Sequence, residues 1–167
     1  AGLWRYQIGD TVIFTSVNPY RIKINGRISQ FINAFGEELI IDNAEKAIKI
    51  ACEKTNANVN EYTAGPKYMS NLGKAAHEWI FEFNNMPNDI NYFTEILDEN
   101  LKKLNSDYAA KRNKDLVLQK PIIHIVSSGF FYKWMKSQNK LGRQFKVTRL
   151  SNNRNYLDSI LNFLKTM

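Results

Sequence analysis

Between residues 77 and 83 the chain reads His-Glu-Trp-Ile-Phe-Glu-Phe, a run whose side chains alternate with a period of two. His77, Trp79, Phe81 and Phe83 fall on one face of an extended strand, and Glu78, Ile80 and Glu82 on the other. A face so rich in aromatic surface has to be covered, so the run predicts a strand half covered by helices. A helix to cover it is legible beyond Pro87, where Ile90, Phe93, Ile96, Leu97, Leu101, Leu104 and Tyr108 share one stripe of a 3.6-residue repeat. Asn105, Tyr108 and Arg112 continue the spacing at its end, and Tyr108 reads as core packing with a hydrogen-bonded hydroxyl.

The remaining chain alternates between the two periods. Residues 11–16 and 20–25 are rich in β-branched and aromatic residues and flank Asn18-Pro19, which predicts two strands joined by a turn. Residues 31–33 and 39–41 bracket Gly36 as a short hairpin. Asp42 and Glu45 have the spacing of a capping box ahead of Ala44, Ala47, Ile48 and Ala51, so a helix is expected over 43–54. Residues 121–126 read as a short buried strand, followed by a helix capped at Ser127 or Ser128 that carries Phe130, Trp134 and Met135. A last helix after Ser151 buries Tyr156, Leu157, Ile160, Leu161 and Leu164. The class is α+β, a mixed or antiparallel sheet packed with about four helices, with no repeat and no long linker. The nearest approach to a junction is 25–31, where Gly26 and the polar pair Ser29-Gln30 interrupt two strand-like runs as a hairpin turn or a hinge.

With 167 residues, 44% of them hydrophobic and 23% charged, the chain has the balance of one soluble domain. No apolar run approaches the ~20 residues that a membrane span needs, and the start does not read as a secretion signal. Cys52 is the single cysteine and sits on a helical apolar pattern, so it reads as a buried structural thiol in a reducing cytoplasm. The net charge is +7, and Lys136, Lys140, Arg143, Lys146 and Arg149 fall together in a stretch without an acid. Such a run is either a solvated loop or a phosphate contact. With Trp134 and Phe145 beside it, the run also fits a basic α+β module that binds nucleic acid or another polyanion.

None of the common self-contained catalytic signatures is present: no glycine-rich phosphate loop of the Walker type, no Gly-x-Ser-x-Gly elbow, no Cys/His spacing of a zinc site. His77 and His124 both lie in strand patterns and read as structural. Three stretches carry a chemical logic together. Tyr6-Gln-Ile-Gly-Asp10 puts a carboxylate at a loop-to-strand junction, where it can accept hydrogen bonds from two vicinal ribose hydroxyls. Arg27 follows Gly26 at a turn before the Gly36 hairpin. Lys146 supplies a compact mobile cation suited to developing negative charge. Taken singly, Asp10 also fits the first residue of a strand after a glycine turn, Arg27 a solvated turn residue, and Lys146 an ordinary exposed lysine.

In this order the three stretches resemble the C-terminal part of adenylate-forming enzymes, and more closely the C-terminal end of the Gretchen Hagen family of acyl acid amido synthetases, auxin-responsive in plants and also found in bacteria. The runs Leu3–Val12, Gly26–Leu39, Leu104–Arg112, Gly129–Met135 and Leu141–Leu161 occur in the family's order and spacing. The resemblance is to a bacterial-type member and extends over nearly the whole chain. It implies that Asp10 is the ribose-binding aspartate, with Tyr6 and Gly9 shaping its loop. Arg27 becomes the hinge arginine that approaches the nucleotide, Ser29 and Gln30 the hinge, and Lys146 the lysine that stabilises charge during adenylation. Two departures stand out. Gln7 replaces the usual arginine of the first motif, and Phe145-Lys146-Val147-Thr148-Arg149 keeps the lysine and arginine of the late motif but not its tyrosine or proline.

The same resemblance implies an organisation. Residues 1–26 are the terminal strands of a large nucleotide-binding domain, 27–31 a hinge and 28–167 a C-terminal cap. The full-length protein would use ATP, leaving AMP, with Mg²⁺ to activate a carboxylic acid and pass it to an amino acid. The missing N-terminal domain is the expected partner, nucleic acid is not, and no metal ligand is expected in this chain. The fragment alone is expected to be inactive and to hold no nucleotide tightly.

Overall fold

The computed structural model describes residues 9–27, 30–69, 75–115, 117–140, 142 and 146–166. An antiparallel hairpin opens it, β1 (Asp10–Val17) and β2 (Tyr20–Arg27), turning at Asn18-Pro19 as expected. Both of its faces are open. Phe14, Val17, Tyr20, Ile22 and Ile24 are each more than half exposed. A second small pair, β3 (Phe31–Ile32) and β4 (Leu39–Ile40), brackets Gly36 and leads into α1 (Ile41–Thr55).

The main sheet has three strands in the order β5 (Asn58–Lys67), β6 (Ala76–Asn85), β7 (Ile122–Val126). It is mixed, because β5 runs antiparallel to β6 and β7 runs parallel to it. The antiparallel partners are set by the aromatics: Tyr62 lies opposite Phe81 and Ala64 opposite Trp79. The helices are α2 (Ile90–Leu104), α3 (Ser106–Arg112), α4 (Phe130–Ser137) and α5 (Arg154–Lys165), with a 3₁₀ turn at Asn113–Asp115.

β6 organises everything. Trp79, Phe81 and Phe83 face a cluster built from α1, α2 and Tyr62, in which the Trp79 and Phe81 rings stack with centroids 5.7 Å apart and Phe93 meets Phe81 edge-on. Ile80, one residue out of phase, faces a second cluster with Val126, Phe130, Trp134, Leu157 and Ile160 from β7, α4 and α5. The strand is therefore covered on both faces rather than one. Glu78 and Glu82, which alternation puts beside Ile80, are buried under α4 and α5.

Other sequence expectations are corrected in detail. Five α-helices form among the described residues, against about four expected. The long stripe beyond Pro87 is two helices, broken at Asn105, whose side chain accepts Tyr108 N at 2.7 Å and so caps α3 while ending α2. Asp42 does not cap α1. It lies inside the first turn and pairs with Lys46, and Asn43 Oδ1 accepts the Ile40 N–H at 3.4 Å in its stead. α4 begins after Gly129 rather than at a serine cap, with Glu82 receiving its first N–H groups. β7 is a half-buried edge strand, not a fully buried one. No helix among the described residues is long and apolar enough to cross a membrane.

Candidate functional site

Residues 147–151 run beside β5 on its outer edge and carry Lys146 at their start. Leu150 makes a parallel bridge to Ala64. Ala64 N donates to Arg149 O at 2.8 Å, and Ser151 N donates to Ala64 O at 2.9 Å. Thr63 Oγ1 donates to Thr148 O at 2.7 Å, and Thr148 N donates to the Tyr156 hydroxyl at 2.9 Å. Gly65 permits the approach, since a β-carbon there would stand 3.2 Å from the Ser151 carbonyl oxygen. Val147 and Leu150 are buried beneath the segment.

Arg149 binds this edge to its surroundings through its side chain. Nη1 is 3.0 Å from Glu45 Oε1 on α1, Nη2 is 3.6 Å from Glu61 Oε1 on β5, and the guanidinium carbon lies 5.0 Å from the Tyr62 ring centroid. Burial works against the arginine's charge, but Tyr62, Glu61 and Glu45 outweigh it and hold its pKa above the ordinary value. Burial pushes the Tyr62 phenol well up, so it stays neutral beside the cation.

Lys146 differs. It is exposed and makes no hydrogen bond or ion pair among the described residues. Together with Gln30, Glu61, Met135, Val147 and Arg149 it lines an open recess of about 430 Å³. Arg149 also lines a second recess of about 350 Å³ with Cys52 and Tyr62. Cys52 is half-buried rather than sealed in the core, and burial, the larger influence, raises its thiol pKa.

The structure thus brings two expected site residues, Gln30 and Lys146, into one recess. A second pair meets in the hairpin, where Asp10 is the backbone partner of Arg27. Gly9, just before β1, has φ +82°, a left-handed conformation that suits glycine. Tyr6 and Ser29 lie outside the described residues. Glu45, Glu61 and Tyr62 were missed as neighbours of Arg149, because nothing in a linear reading brings α1 and β5 to it.

The histidines are structural. His77 Nε2 is 2.8 Å from Glu37 Oε1, and His124 Nε2 is 2.6 Å from Glu78 Oε1. Trp134 is buried against Tyr156 and cannot present its ring to a base. No group of three or more His, Cys, Asp or Glu among the described residues is placed to hold a metal ion.

The model of the GH3 family C-terminal domain matches residues 42–155, more than half of the chain. Two solved structures are similar in fold. A GH3.15 acyl acid amido synthetase superposes with a TM-score of 0.74 at 19% identity, over 96% of this chain and 31% of that one. A structure of AtGH3.15 acyl acid amido synthetase in complex with 2,4-DB superposes with a TM-score of 0.70 at 19% identity, over 96% of this chain and 30% of its own. The chain therefore spans about a third of the length of the solved proteins it matches. No curated protein sequence matches it.

Proposed function

The chain belongs to the GH3 (Gretchen Hagen) family, and from that membership we propose that it is the C-terminal part of an ATP-dependent acyl acid amido synthetase. In this reading residues 1–26 close a large N-terminal domain that is the cap's partner, 27–31 form the hinge, and 28–167 form the cap. The open faces of the β1–β2 hairpin support that division, because apolar strands such as these need a covering partner.

The observation that carries the chemical part is Lys146, an exposed cation without a partner among the described residues, set in a recess with hinge residue Gln30. A lysine so placed is available to a phosphate or carboxylate oxygen. In the first step a carboxylate oxygen attacks the α-phosphorus of ATP and pyrophosphate leaves. In the second, an amino acid's amine attacks the acyl carbonyl and AMP leaves. Neither step needs a side-chain nucleophile, and the chain's contribution is positioning and charge neutralisation. Lys146 meets the charge on the transferring oxygens, Asp10 holds the ribose hydroxyls, and Arg27, opposite it, approaches the nucleotide. Tyr6 and Gly9 shape the Asp10 loop, and Ser29 with Gln30 turns the cap. Among the described residues no group of three or more His, Cys, Asp or Glu is placed to hold Mg²⁺. The reaction consumes ATP, and we place the protein in the cytoplasm.

The test is acid-dependent pyrophosphate release by the full-length protein, with a panel of carboxylic acids and amino acids, beside Asp10→Ala and Lys146→Ala. Release that requires an acid and falls about 100-fold or more in either variant supports the reading. Release in neither the presence nor the absence of any acid would sink it. The isolated chain is expected to be inactive, and submicromolar ATP affinity by calorimetry would contradict the assignment of essential parts to the absent domain.

A further inference from the structure

We propose that Arg149 is a positioning residue for Lys146, an inference that rests on the adenylation reading above. Two cations three residues apart in one run would ordinarily be taken as a pair that greets phosphate together. The geometry separates them. Arg149 has its charge engaged within the protein, 3.0 Å from Glu45 and 3.6 Å from Glu61, with its guanidinium carbon over the Tyr62 ring, whereas Lys146 has no such partner among the described residues.

The contacts of Arg149 reach two elements, α1 and β5, which follow one another in the chain across the turn at Asn56-Ala57. Glu45 is on α1 and Glu61 on β5, and the backbone of Arg149 itself accepts from Ala64 N. The guanidinium therefore locks the short edge segment at its middle while Val147 and Leu150 anchor it from below. What is fixed is the root of Lys146, three residues upstream. Its long stem stays mobile, but the point from which it reaches does not. A planar, five-donor group suits this clasp, since it can meet two carboxylates and stack on a ring at once.

The experiment is a mutant cycle in the full-length protein, with ATP KM and kcat for pyrophosphate release separated. The variants are Lys146→Ala, Arg149→Gln, Arg149→Lys, Glu45→Gln and the double variant Lys146→Ala/Arg149→Gln. Arg149→Gln is expected to lower kcat about 10- to 100-fold, as a displaced catalytic group does, with the ATP KM changed less than about twofold. Arg149→Lys restores part of the loss. The double variant is no slower than Lys146→Ala alone, because an arginine that acts through the lysine has nothing left to place. Should Arg149→Gln fail to fold, Glu45→Gln removes one arm of the clasp at a half-exposed site and shows the same split at about threefold.

A raised ATP KM at unchanged kcat would make Arg149 a nucleotide contact and overturn the proposal. Independent, multiplying losses in the double variant would overturn it as well. These results differ from failure of the underlying reading, which is seen as a wild-type protein that releases no pyrophosphate or a Lys146→Ala variant that keeps full rate. Either of those overturns the reading and this inference with it.

Discussion

Nε2 of His77 lies 2.8 Å from Oε1 of Glu37, and neither side chain reaches solvent. Glu37 sits in the β3–β4 loop and also accepts Phe35 N at 2.7 Å, so one carboxylate ties that loop to β6. Burial drives its pKa up, but the hydrogen bond and charge of His77 and the Phe35 N–H prevail and hold it below the usual carboxylate value. Replacing His77 by Ala leaves the carboxylate buried beside a void. The expected loss is about 3–5 kcal/mol in urea denaturation, with part recovered when Glu37→Leu is added.

Acid should loosen the domain in a defined window. Glu78 is buried, which alone would raise its pKa, yet hydrogen bonds and charge from His124 and Arg154 lower it to about 2 from 4.5. Glu37 and Asp98 are shifted in the same direction. For a carboxylate with a depressed folded pKa, the unfolded chain binds the extra proton first, so the stabilisation is present above 4.5 and drains away toward pH 2. Denaturation midpoints measured from pH 6 down to pH 2 should fall through that interval, and Glu78→Gln should flatten part of the slope by about 3 kcal/mol.

Glu82 supplies the cap that α4 lacks in its own sequence. Its Oε1 accepts Gly129 N at 2.9 Å and Asn60 Nδ2 at 2.6 Å, and its Oε2 accepts Phe131 N at 3.1 Å. A carboxylate at a helix N-terminus also gains from the exposed N–H groups there. Glu82→Ala is expected to cost about 3 kcal/mol and Glu82→Gln about half that, with loss of the Trp134 near-ultraviolet signal before the global transition.

Asp98 holds Arg112 through two bonds, Nε to Oδ1 at 2.8 Å and Nη2 to Oδ2 at 2.7 Å, and Tyr108 donates to Oδ1 at 2.8 Å. Arg112 Nη1 also donates to Leu118 O at 2.8 Å, which joins α2, α3 and the approach to β7. Asp98→Ala takes the carboxylate away from a buried guanidinium and should cost about 3–5 kcal/mol. An apolar double replacement, Asp98→Leu with Arg112→Met, should cost less than the single change, which thermal melts of both will decide.

Lys146→Ala is the contrasting case. The side chain is exposed and unpartnered among the described residues, so its removal should leave the denaturation midpoint within about 0.5 kcal/mol of wild type. A larger change would mean that the lysine serves the fold.

What could be read from the sequence was local. The Asn18-Pro19 turn, the Gly36 hairpin and the apolar stripe of α5 each declare themselves within a dozen residues, and all formed. β5 did not declare itself, because Asn58, Asn60, Glu61, Gly65 and Pro66 are poor strand formers. It exists through pairing with β6 and through the 147–151 edge. The break at Asn105 was hidden for a similar reason: the apolar stripe continues in phase across it, while its side-chain nitrogen donates to the Glu37 carbonyl, 68 residues away. Glu78 and Glu82 read as a solvent face because their partners, Arg154, His124 and the first turn of α4, come from far along the chain.

The site divides in the same way. Gln30 and Lys146 were identifiable as residues, but their common recess depends on β5, and so does the clasp on Arg149. Asp10 and Arg27 could be named singly, and their opposition follows from hairpin register.

The parallel bridge between Leu150 and Ala64 has a mechanical meaning. Because the stretch after Lys146 is laced to β5, and β5 to β6, the lysine behaves as a spoke on a wheel whose hub is the sheet. Only the length of its own stem is left for independent travel. Any larger excursion of the ammonium has to carry the wheel with it.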